Sequence, residues 1–174
     1  MTMRASAEAG VVTTERSVRR VRGLRRASFS AFVLLLIQYG LGMYTNIYVT
    51  VPSADKGGGM GKAISNGPAA LSIHAVLAIL LILAAIGLLV QAVMARYWTV
   101  LAAAVIALIT IIGAAFSGVD FTNNGGQDSA SMTMAVLAGV AILCYGTVLY
   151  LLSSPRQAAG SDAPGRDART RPAS

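Results

Sequence analysis

Charge is scarce in this sequence. Only 12% of its 174 residues are Asp, Glu, Lys or Arg, about half the share found in soluble domains. None of the four is found within 29–51, 69–94, 98–117 or 131–152. These stretches therefore hold no buried acid/base pair of the kind a proton relay or hydrolase would need. Cysteine occurs once, as Cys144, which excludes an intrachain disulfide and leaves the redox compartment unread. Cys144 is read as a small hydrophobe rather than a nucleophile. Histidine also occurs once, as His74, and lysine only as Lys56 and Lys62. No histidine pair within one chain can bind a metal or a haem.

What fills the space is apolar: 55% of the residues are hydrophobic. The four uncharged stretches are each long enough, at about 1.5 Å rise per residue, to cross a hydrocarbon layer of about 30 Å. The run 29–51 ends at Pro52, which cannot continue a helix. It exceeds the ~7–15 apolar residues of a leader peptide, so it is read as a span. Asn66-Gly67-Pro68 is a turn that delivers the chain into the run 69–94. The runs 98–117 and 131–152 follow, and Ser153-Ser154-Pro155 stops the last. The expected fold is all-α: an integral membrane four-helix bundle, up-down-up-down. Residues 1–27 form a basic cytoplasmic segment, 28–153 the transmembrane domain and 154–174 a disordered cytoplasmic tail. Arg far outnumbers Lys, and Ala, Gly and Val abound, as in GC-rich bacteria, so the expected site is a bacterial plasma membrane.

Orientation follows from the basic residues, which favour the cytoplasmic side of short loops. Seven arginines and two glutamates precede the first span. Arg96 lies between the second and third, and the C-terminal tail adds four arginines. Both termini are thus expected in the cytoplasm, with 52–68 and 118–130 facing out. A pI near 10 raises the question of nucleic acid. Because Arg16, Arg19, Arg20, Arg22, Arg25 and Arg26 abut a span, the expected partner is anionic lipid instead, and no nucleic acid. Val18, Val21 and Leu24 recur between them. That spacing fits a short amphipathic helix on the inner leaflet, and equally a disordered tail that only sets topology. Tyr44, Tyr48, Tyr97 and Trp98 sit near the expected water boundaries.

Polar side chains inside the spans gather towards the outer end: Thr45 and Asn46, Ser72 and His74, Ser117 with Asp120 just after it, and Ser131 with Thr133. Asn46, His74, Asp120, Ser131 and Met134 are the expected lining of an outward-facing polar pocket. His74 is either its functional group or a side chain that merely bonds neighbouring helices. Small residues at four-residue spacing, such as Ala103/Ala107 and Thr110/Ala114/Gly118, let backbones approach. Asp120, Thr122, Asn124 and Gly125 partly echo a calcium loop, but Ser131 stands where the bidentate Glu is required. A turn at Asn124-Gly125 is the better reading. The glycine-rich run 56–62 lacks the strand and helix of a phosphate loop and is read as a flexible linker.

Four segments carry a resemblance: QYGLGMYTNIYVTVP, His74 opening the second helix, GAAFSG closing the third and SASMTMAVLAG opening the fourth. Together they resemble small four-helix bacterial membrane proteins. In layout these are similar to the four-helix halves of haem-binding membrane proteins of the haem A synthase and cytochrome b561 type. The resemblance implies haem b, with His74 as an axial ligand and Met132 or Met134 where a second histidine would stand. The expected function is a non-enzymatic accessory or interaction subunit, assembled with a membrane protein partner or as a homodimer. A haem b redox protein is the alternative, and a small-solute or ion pathway the third reading.

Overall fold

A computed structural model of the chain describes the backbone of residues 2–50 and 57–153 and, within them, the side chains from Arg19 onward. The fold is all-α. Five helices occur among the described residues: α1 (Thr2–Tyr48), α2 (Gly59–Ser65), α3 (Ala69–Ala95), α4 (Trp98–Asn123) and α5 (Asp128–Ser153). Four of them contain segments long and apolar enough to cross a membrane, of 30, 27, 26 and 26 residues, the first being Arg19–Tyr48 within α1. The chain is accordingly a multi-pass membrane protein in character. Its outer surface agrees: Phe116 and Leu143 are about seven-tenths exposed, and other aliphatic side chains are exposed on every long helix. Such a surface suits lipid and not water.

Each long helix packs on two others, α1 on α3 and α5, and α4 on α3 and α5. The contact stripe repeats every three and four residues. It runs Leu24, Ser28, Ala31 and Leu35 on α1, and Leu81, Ala85, Leu88 and Ala92 on α3. On α4 it runs Val100, Ala104, Ala107 and Ile111, and on α5 Ala141, Tyr145, Val148 and Leu152. This is the heptad seam of coiled-coil packing, with small residues standing among larger ones. Ala92, Ala107 and Ala141 are fully buried, so the helix backbones approach closely there. Small residues are used for close packing, as the sequence implies. The seam passes through Ala104 and Ala107, and Ala103 only borders it.

Several boundaries differ from the sequence reading. Helix α1 is continuous from Thr2 to Tyr48, ending three residues before Val51. Val21 and Leu24 pack onto the bundle core, so this stretch is neither a separate helix on the inner leaflet nor an unstructured tail. The third span does not stop at Ser117. Helix α4 runs on to Asn123 because Phe121 and Thr122 extend its buried face. It ends where Gly125 and Gly126 take positive φ of 71° and 93°. The Gly126 N–H then donates to Phe121 O at 2.8 Å and the Gly125 N–H to Thr122 O at 3.3 Å, a Schellman cap. Residues 120–123 being helical, their side chains fan outward and do not ring a cation. Of the run 56–62, expected as a flexible linker, residues 59–62 belong to helix α2. The tail 154–174 and the side chains of Arg16 and Val18 lie outside the described residues.

Candidate functional site

Beyond the heptad seam, towards the end of the bundle that carries α2, the four long helices separate around a cavity of about 100 Å³. Each presents one helical face to it: Leu35, Gln38 and Gly42 from α1, Leu71, His74 and Ala78 from α3, Ile111, Ala115 and Gly118 from α4, and Ser131, Met134 and Ala138 from α5. The spacings of three, four and seven are those of a single helix face. Helix α2 supplies Met60 and Ala63 as a roof. It is tied down at both ends. The Gly59 N–H donates to Asn123 Oδ1 at 2.9 Å, and the Ser72 hydroxyl donates to Ala63 O at 2.9 Å. Tyr39 and Met43, each about four-tenths exposed, form part of the wall, so the cavity reaches the bundle surface.

The wall is mostly alanine, leucine, glycine and methionine, and its polarity is concentrated at one contact. Gln38 Nε2 donates to the His74 carbonyl oxygen at 2.9 Å and lies 3.4 Å from the ring Nε2. An amide N–H beside Nε2 suits that nitrogen as the acceptor, which leaves the ring N–H on Nδ1. The ring is fixed from the other side by Gly42. A Cβ there would stand 3.0 Å from His74 Cε1, so only glycine leaves the imidazole its present position. Two polar atoms of this pair, His74 Nδ1 and Gln38 Oε1, are buried with no hydrogen-bond partner among the described residues. One is a donor and the other an acceptor. An unmet buried polar group costs about 1–3 kcal/mol, so both atoms call for a partner that the described residues do not supply.

The expected pocket is brought together in part. His74, Ser131 and Met134 line the cavity. Asn46 is exposed and lies four residues beyond Gly42, about 6 Å further along α1. Asp120 is exposed and accepts from Asn124 Nδ2 at 2.7 Å. Met132 is 68% exposed, because the cavity face of α5 runs through 131, 134, 135 and 138. Gln38 is the residue that sequence reading missed. Placing the end of α1 at Tyr48 and counting back in steps of three and four would have found it.

The residues do not fit a haem. His74 Nε2, the expected ligand atom, faces the Gln38 amide, and the ring edge rests on Gly42. The cavity is well below the ~300–1,000 Å³ of sites that enclose drug-sized molecules, and Met132 points away from it. Among the described residues no cluster of three or more His, Cys, Asp or Glu is placed to hold a metal ion. No family model, characterised protein or solved structure matches the chain.

Proposed function

We propose that this chain is a non-enzymatic accessory protein of the plasma membrane. Its four spans run up-down-up-down with both termini cytoplasmic, and it holds a small amphipathic molecule under its outward face. The juxtaposition of Arg25 and Arg26 with Ser153, and of Gly118 with Met134, supports antiparallel neighbours. The arginine distribution supports the orientation. The observation that carries the binding role is the pair of orphaned atoms, Nδ1 of His74 and Oε1 of Gln38, in an otherwise apolar cavity. A hydroxyl or similar group serves either atom, and the aliphatic wall takes an apolar body. Below this level the seam of Leu81, Ala85, Ile111 and Tyr145 is closed, which argues against a pathway through the bundle.

Phenol and toluene are the discriminating probes, being alike in size and differing in one hydroxyl. An apolar cavity of about 150 Å³ accepts benzene, so a site of this size suits one small ring at most. The expected result, in thermal unfolding of the detergent-solubilised protein, is protection by phenol at about fivefold lower concentration than by toluene, the worth of one hydrogen bond of about 1 kcal/mol. Gln38→Leu and His74→Leu should erase that difference. Equal protection by the two probes, or a preference that survives both substitutions, would refute the reading.

A further inference from the structure

At the opposite end of the bundle a second concavity lies between α1 and α5. It is a groove of about 700 Å³ lined by Arg22, Arg25, Arg26 and Phe29 from α1 and by Leu149, Tyr150 and Ser153 from α5. Arg22, Arg25, Arg26 and Phe29 stand at i, i+3, i+4 and i+7, one face of a helix. Among the described residues no carboxylate lines the groove. The nearest acidic residue before it on α1, Glu15, is seven residues from Arg22, about 10 Å along the axis. The groove changes character along its length. Three guanidinium groups occupy one part, while Phe29 and Tyr150, 57% and 72% exposed, line it where the apolar span begins.

We propose that this groove is a binding site for one anionic phospholipid. The phosphate is held by Arg22, Arg25 and Arg26, whose planar forks match its oxygens, and an acyl chain runs along Phe29 and Leu149 into the membrane. The charge and the apolar body meet at one place, as in a lipid and not in a free phosphate. Diffuse attraction of a basic tail to a charged membrane needs no such geometry. The assignment narrows six candidate arginines to three and adds Phe29 and Leu149, which a charge count cannot find. It is independent of the cavity around His74.

The test is lipid retention by the full-length protein, read by native mass spectrometry from detergent containing equal phosphatidylglycerol and phosphatidylcholine. One phosphatidylglycerol per chain should persist where phosphatidylcholine is stripped. Loss of each charge should weaken retention about fivefold, the equivalent of ~1 kcal/mol per basic residue near the surface. Arg25→Gln alone therefore reads the effect on an exposed, fold-neutral side chain, and combined Arg22→Gln, Arg25→Gln and Arg26→Gln should lower it about 100-fold. Arg96→Gln, an equal charge loss outside the groove, should leave it unchanged. Competition by glycerol 3-phosphate at concentrations comparable to the lipid would assign the site to a free phosphate and overturn the proposal. Equal retention of the two lipids, or equal loss in Arg96→Gln, would also overturn it.

Discussion

Gln38 links two helices through a single amide: it donates to the backbone of α3 and steadies the ring of His74. Bonds of this kind average only about 0.6 kcal/mol in membrane bundles, so the pair is a weak stabiliser. Its two unmet atoms make it costly unless something is bound. Ser28 provides the contrast. Its side chain is buried and its Oγ has no partner among the described residues, yet it sits in the heptad seam and lines neither the cavity nor the groove. Ser28→Ala is therefore expected to stabilise the protein by about 1 kcal/mol, measured by reversible unfolding in mixed detergent micelles. A loss of similar size would mean that the hydroxyl finds a partner after all. At this scale the sequence is partly legible. His74 stands out because it is alone, and Ser131 and Met134 follow from depth. Gln38 does not, because its role depends on how far α1 projects past the start of α3. Asp120 and Met132 share a depth with the cavity residues but lie on other helix faces, while Asn46 stands one turn beyond Gly42, past the cavity; depth read from sequence sees neither rotation nor where the cavity ends.

Helix α2 is the element that composition conceals. Four of the seven residues from Gly57 to Ala63 are glycine, a composition that reads as linker, and an isolated helix of seven residues is unstable in water. It forms because it docks: Ala63 is buried, the Ser72 hydroxyl holds its last turn, and Asn123 receives its first N–H. The link to α3 turns on Gly67. A Cβ there would lie 2.5 Å from the Ala63 carbonyl oxygen, a backbone atom with no freedom to yield. Gly67→Ala should therefore lift the end of α2 from α3 and open the roof of the cavity. The check is limited proteolysis of the folded protein, where cleavage between Gly57 and Pro68 should accelerate at least tenfold. An unchanged rate would show that α2 does not depend on this contact. The long helices were legible because lipid imposes a minimum length and excludes charge. Their ends were less so, since α4 continues through Gly118 and Asp120, residues that read as a stop, on the strength of packing at Phe121 and Thr122.

Across the whole molecule, one half of the bundle is shut by a seam of small and large residues. The other half is held apart by the imidazole, its amide partner and a small roof. The closed half presents a basic groove, and the open half presents a mostly apolar cavity beside two unpartnered polar atoms. Length and hydropathy foretell the number of spans. They do not foretell the division of labour between the two ends, which arises from helix rotation and from where each helix stops. The central claim is that the Nδ1–H of His74 is offered to a bound molecule while Nε2 is engaged by Gln38. Because the chain contains one histidine, the nitrogen resonances of a histidine-labelled sample report on it without ambiguity. The account predicts a neutral ring protonated on Nδ1, with that resonance, more than Nε2, shifting when phenol is added and little affected by toluene. A ring protonated on Nε2, or an Nδ1 resonance indifferent to phenol, would contradict it.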